Sequence, residues 1–164
     1  MTLLIDPTAI ISKDSRIYSS QKGTKITIGA YCEIYDFVVI KPVGGIGDIV
    51  IGEHCYINPH CTLYSGHGIT LGDYVLLAPG VVLAGSNHAY ENLEIEIRKQ
   101  GFAPSKGGIT VENNVWIGAN AVLLDGTYVE SGAIIAAGSV VRNHVGKNEI
   151  WGGVPAKLIS IREN

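Results

Sequence analysis

An aliphatic residue returns every six positions along most of this chain, and that period admits very few folds. Counted from Val111, the frame runs through Ile117, Leu123, Val129, Ile135 and Val141. The N-terminal half repeats it in sets of three: Ile5, Ile11, Ile17; Ile28, Ile34, Ile40; Ile51, Ile57, Leu63; Leu71, Leu77, Leu83. All 18 first positions are Ile, Leu or Val, and 15 of 18 fifth positions are Ala, Ser, Thr, Cys, Val or Gly. The exceptions, Gln21, His67 and Asn87, all fall in the third hexad of a set. Successive sets begin 23, 23, 20, 40 and 18 residues apart, so the bare unit is three hexads and one corner accepts insertions. The longest insertion adds 22 residues between Leu71 and Val111.

Three hexads per turn describe a triangular prism of short parallel strands. A single turn cannot bury its apolar edge, so turns stack and bury it jointly. The large first position fills the interior, and the small fifth position lets opposing walls approach. The expected fold is therefore all-β: a parallel β-helix with one extruded loop and a short C-terminal tail element. The prism is expected over about residues 3–146, the loop over 84–108 and the tail over 147–164, as a single domain spanning 1–164. The composition agrees, with 21 glycines for turns, 7% aromatic residues, and 46% hydrophobic against 16% charged residues. That balance excludes intrinsic disorder.

A net charge of −3 with no Lys/Arg block excludes a nucleic-acid backbone as partner. No apolar run reaches the roughly 18–20 residues of a membrane span, and the segment 75–85 is broken by Pro79. The start, from Met1 to Asp6, lacks the basic and apolar regions of an export signal, so a cytoplasmic protein is expected.

The hexads, the stretch Asn114-Val115-Trp116-Ile117-Gly118 and the ending Gly153-Val154-Pro155-Ala156-Lys157 resemble the hexapeptide-repeat acyltransferases. The pattern is most similar to the maltose, galactoside and surface-polysaccharide sugar O-acetyltransferases. The resemblance implies a left-handed winding, against the usual crossover hand. It also implies a homotrimer with active sites between subunits, acetyl-CoA as cosubstrate with no metal required, and a small sugar or glycan acceptor.

Long loops that break a regular solenoid usually carry function. In the resembled enzymes this loop opens with a histidine general base, and His88 matches it, expected one residue after the last strand of its set. There the imidazole takes a proton from a substrate hydroxyl, which attacks the thioester. Its ordinary pKa of ~6.5 suits the task, and such a base contributes about 10²–10⁴-fold. Asn58 matches a substrate-contacting Asn; an outward amide there can hold a sugar hydroxyl or a carbonyl oxygen, or bond the backbone of its own corner. Asn87 and Glu91 join it as acceptor contacts, with the loop acids Glu94 and Glu96 as alternative sources of the carboxylate. Ser65 and Gly66 stand where galactoside-type enzymes carry paired acids, so the acceptor contacts differ. By the same resemblance Ala119 and Ala137 line the pantetheine arm, Arg142 and Lys157 meet the coenzyme phosphates, and Trp116 covers the thiol end or packs at a subunit seam.

Cys32, Cys55 and Cys61 occupy fifth positions, which makes them core fillers. His54 and His60 are fourth in their hexads and fall on adjacent faces, a loose match to a zinc site. The γ-class carbonic anhydrases share the prism, but Ala119 and Leu124 stand where their zinc histidines belong. A nucleotide-sugar N-acetyltransferase is the main alternative, and a catalytically silent scaffold is the third.

Overall fold

The computed structural model describes residues 2–163. The chain winds as a left-handed parallel β-helix whose three faces are parallel sheets. The first face stacks Thr2–Ile5, Lys25–Ile28, Ile49–Ile51, Ile69–Leu71, Ile109–Val111, Tyr128–Val129 and His144–Val145. The second stacks Ile10–Ile11, Glu33–Ile34, Tyr56–Ile57, Leu76–Leu77, Trp116–Ile117, Ile134–Ile135 and Glu149–Gly153. The third stacks Arg16–Ile17, Val39–Lys41, Thr62–Tyr64, Val82–Ala84, Val122–Leu124 and Val140–Val141.

The first-position residues form ladders straight up the interior. Ile28 pairs with Ile51, Ile51 lies in register with Leu71, and Leu71 with Val111. On the third face Leu63, Leu83 and Leu123 do the same. Fifteen of the 18 first positions are buried; the exceptions, Ile5, Ile11 and Ile17, belong to the terminal coil, which has a neighbour on one side only. Each buried Ile or Leu contributes roughly 1.5–3 kcal/mol relative to exposure. Cys32, Cys55 and Cys61 lie fully buried in this core as free thiols. Burial pushes the Cys61 thiol up to about 11, and the three thiols donate to the carbonyls of Gly52, Gly72 and Ala78 in the next coil.

Winding this way requires a left-handed backbone at the corners. Tyr31, His54, Tyr74 and Asn114 supply it on the first edge, with φ between 55° and 57°. Phe37, His60 and Asn120 supply it on the second edge. Such conformations cost an L-residue roughly 1–2 kcal/mol. Here the rings stack up the edge, Tyr31 on His54 at 5.0 Å and His54 on Tyr74 at 4.9 Å, and each such pair returns about 0.5–1.5 kcal/mol. His60 stacks on Phe37 on the other edge at 5.1 Å. The two histidines therefore belong to separate aromatic columns, and among the described residues no group of three or more His, Cys, Asp or Glu gathers as a metal site.

The winding continues past residue 146. Glu149–Gly153 adds a parallel strand to the second face, and Ala156–Ile161 folds back on it antiparallel, so the tail element is a hairpin. Among the described residues no helix is long and apolar enough to cross a membrane.

Candidate active site

The third edge, where the chain passes from the third face back to the first, carries the long loop. The loop leaves after Ala84 and returns at Ile109. It is closed near its base: Ala103 N–H donates to the Asn87 carbonyl at 2.8 Å, and Ala89 N–H donates to the Gly101 carbonyl at 3.1 Å. His88 thus pairs with Phe102 as an antiparallel bridge, four residues beyond the strand end and not one. Farther out, the Gln100 amide donates to the carbonyls of Asn92 and Ile95 at 2.8 and 2.7 Å, tying a single helical turn, Ile97–Gln100, to the tip.

The His88 ring is held on two sides. It stacks on Phe102 with centroids 5.0 Å apart and planes inclined by 22°. Its Nδ1 lies 3.1 Å from the Gly101 carbonyl oxygen. A carbonyl can only accept, so this contact assigns the proton to Nδ1 and leaves the Nε2 lone pair free. The ring is exposed and lines a cavity of about 760 Å³ together with Asn87, Glu91, Lys106, Asp125 and Arg142.

Asp125 holds the returning strand of the loop. Its carboxylate is 4% exposed and accepts the Lys106 and Gly108 N–H groups, each at 2.8 Å. Two such bonds satisfy a buried charge without a cationic partner. Sequence reasoning missed Asp125; an acid directly after Leu123 and Leu124, ahead of Gly126 in the same hexad, was the available signal. It also missed the part played by Phe102.

Of the residues singled out in the sequence, His88, Asn87, Glu91 and Arg142 come together in this cavity. Glu91 accepts the Tyr90 N–H at 3.0 Å. Asn58 is elsewhere, half-buried on the second edge, where its amide nitrogen donates to the Leu77 carbonyl of the next coil at 2.8 Å, which leaves its second N–H and its oxygen for another partner. Ala119 and Ala137 occupy the same second edge, two coils and three coils farther along. Trp116 stands on the outer side of the second face, 48% exposed, beside Tyr74 and Arg162. Lys157 is exposed on the terminal strand, opposite Gly152. His88, Asn87, Glu91 and Arg142 thus lie at the third edge and Asn58, Ala119 and Ala137 at the second, while Trp116 stands on the second face and Lys157 on the terminal strand.

Comparison with known proteins gives the same architecture. The bacterial transferase hexapeptide family (six repeats) matches residues 108–143. Galactoside O-acetyltransferase of Escherichia coli is 37% identical over 112 residues, covering 68% of this chain and 53% of that protein. The 2,3,4,5-tetrahydropyridine-2,6-dicarboxylate N-acetyltransferase of Staphylococcus aureus is 40% identical over 90 residues, 55% of this chain and 32% of its own length. Galactoside O-acetyltransferase is thus matched over about half its length. The structure of AntD, an N-acyltransferase from Bacillus cereus in complex with dTDP and 3-hydroxybutyryl-CoA, superposes with a TM-score of 0.80 at 20% identity, covering 98% of this chain and 83% of that one. Repeat, winding and family match agree that this chain belongs to the hexapeptide-repeat acyltransferase family.

Proposed function

We propose that this protein is an acetyl-CoA-dependent O-acetyltransferase acting on a hydroxyl of a sugar or glycan precursor, in the cytoplasm and as a homotrimer. The observation that carries the proposal is the Nδ1 contact with Gly101, which leaves His88 Nε2 as a proton acceptor inside a cavity large enough for a sugar and a thioester arm. Acetyl-CoA supplies an activated acetyl group as its thioester. His88 Nε2 takes the proton of the acceptor hydroxyl as that oxygen bonds to the acetyl carbon; the carbon–sulfur bond breaks, and the proton passes from His88 to the departing thiolate. Glu91 and Asn87 are the acceptor contacts nearest to His88 in sequence. Arg142, exposed at the cavity wall, would meet a coenzyme phosphate, joined by Lys157. Trp116 would flank the pantetheine arm.

Fit to the coenzyme is supported by the second edge, where Ala119, Ala137 and Gly138 leave the backbone open to close approach. That edge and His88 belong to different corners, so the site is completed by a second copy whose second edge, with its Asn58 amide oxygen, meets the first copy's third edge. The loop tip suits this arrangement: Leu93 is 94% exposed and Ile97 56%.

The test is thiol release from acetyl-CoA with a panel of hydroxyl and amino sugars. His88→Ala is expected to lower kcat at least ~10²-fold with coenzyme A affinity little changed. Near-normal turnover would remove His88 as the base, and transfer to amino sugars alone would replace the hydroxyl acceptor. A sedimenting mass near one subunit would remove the inter-subunit site.

A further inference from the structure

Below the His88 loop, on the same third edge, lies a second depression that the transfer chemistry leaves unused. It measures about 400 Å³ and is lined by Tyr18, Ser19, Ser20, Lys22, Lys41 and the turn through Gly44. Lys41 Nζ sits between two tyrosine rings, 5.1 Å from the centroid of Tyr18 and 5.9 Å from that of Tyr64. The Arg16 guanidinium lies 4.9 Å from the centroid of the Tyr18 ring, and Lys22 Nζ donates to the Gly44 carbonyl at 3.3 Å. Among the described residues the ion pairs are Lys99 with Glu96 and His144 with Glu130, so none of these three cations has a carboxylate within 4.0 Å. In a chain of net charge −3, three cations without a carboxylate partner gather beside the hydroxyl-bearing turn Ser19–Ser20, which gives this spot a locally positive field.

This depression adjoins the loop that carries the candidate base. Lys41, Tyr64, Ala84 and Leu124 occupy one register column on the third face, and Leu124 lines the His88 cavity. The Gly44 turn also touches the back of the loop: a side chain at Gly44, whose φ is +81°, would meet Phe102 Cε1 at 3.0 Å, and Phe102 carries the His88 ring. Lys41 lies two coils from the strand that launches the loop, about 10 Å at the strand spacing of a sheet. Arg142 lies on the opposite side of the loop along the prism.

Resting on the acetyltransferase proposal, we infer that the acceptor carries a phosphoryl group, held by Lys41, Lys22 and the Ser19–Ser20 hydroxyls on the far side of Phe102 from the hydroxyl that His88 deprotonates. Lysine binds phosphate as a point charge, and the hydroxyls supply further donors. Tyr18 and Tyr64 offer ring faces to whatever the phosphate is attached to. Coenzyme and acceptor then enter from opposite ends of the third edge, the coenzyme phosphates toward Arg142 and the acceptor phosphate toward Lys41.

The experiment is calorimetric titration of the native protein, first with coenzyme A, then with inorganic pyrophosphate or uridine diphosphate while coenzyme A is saturating. Both probes are expected to bind, and Lys41→Met to weaken them at least ~10-fold, the loss of one charge-assisted bond. Lys41→Arg should retain binding, and Lys13→Met, the same charge change on the second edge, should leave it unaltered. Tighter binding of uridine diphosphate than pyrophosphate would mean that a nucleoside rests on the tyrosines; equal binding would mean that the phosphate alone is read, as in a sugar phosphate or lipid-linked precursor. Absence of binding to the native protein, or equal loss in Lys41→Met and Lys13→Met, overturns the inference. Coenzyme A binding in every variant reports folding, and its failure in the native protein would count against the acetyltransferase proposal and not against the anion site.

Discussion

Asp125 offers the sharpest test of how the loop is held. Its buried carboxylate accepts two backbone N–H groups, from Lys106 and Gly108. A hydrogen bond to a charged acceptor contributes about 1.5–3 kcal/mol, and an orphaned buried donor costs ~1–3 kcal/mol. Lys106 is exposed, so its freed N–H finds water; Gly108 is buried, and its N–H does not. Asp125→Ala is therefore expected to lose about 2–4 kcal/mol. Asp125→Asn keeps one acceptor and turns an NH₂ toward the other donor, losing about 1.5–3 kcal/mol. With a urea m-value near 2 kcal/mol/M, the alanine variant's midpoint should fall by roughly 1–2 M at fixed protein concentration. Hydrogen exchange should show the loss concentrated at residues 103–109, with turnover falling because the cavity wall moves. An unchanged midpoint with unchanged protection of the Gly108 amide would refute the anchoring role.

Phe102→Ala should lower kcat by about 2–10-fold, the worth of one stacked pair, while KM for acetyl-CoA stays constant; Phe102→Tyr should restore it, and a change in KM alone would exclude positioning of His88. Glu112 accepts the Tyr128 hydroxyl at 2.5 Å and the Ser131 hydroxyl and N–H at 2.7 and 2.9 Å, which together hold its carboxyl below the usual range. Its stabilising effect is present above the unfolded-state value near pH 4.3 and is lost as pH falls through the lower folded value. Glu112→Gln should thus be less stable than the native protein at neutral pH and converge with it in acid; a constant gap in urea midpoints from neutral pH into acid would contradict the assignment.

The interior was legible because one residue type answers one physical demand. Ile28, Ile51, Leu71 and Val111 recur because a closed prism needs a large aliphatic side chain at that point of every turn. The hexad frame also tells which edge a residue occupies, so the separation of Asn58 from His88 and the meeting of Arg142 with His88 were implicit in it. The aromatic columns were not legible. His54 reads as a possible ligand in the sequence, yet it is a spacer between Tyr31 and Tyr74, because the corner backbone puts fourth positions of neighbouring turns face to face. Nor could the frame reveal that Gly101 fixes the His88 tautomer or that Asp125 receives the returning chain, since both contacts depend on how an aperiodic loop folds back.

Strand Val82–Ala84 pairs in register with Val122–Leu124, and Ile69–Leu71 with Ile109–Val111, as if the intervening loop were missing. Polymer statistics put the extra ring-closure entropy of a 40-residue turn over an 18-residue one at about 0.7 kcal/mol, less than the burial of a single leucine. Because each coil is stabilised by its immediate neighbours, the ladder does not register what the detour contains. A lineage built on this scaffold is free to rewrite its third edge, and with it the molecules it recognises, under one local condition: the returning chain must present two N–H groups to Asp125.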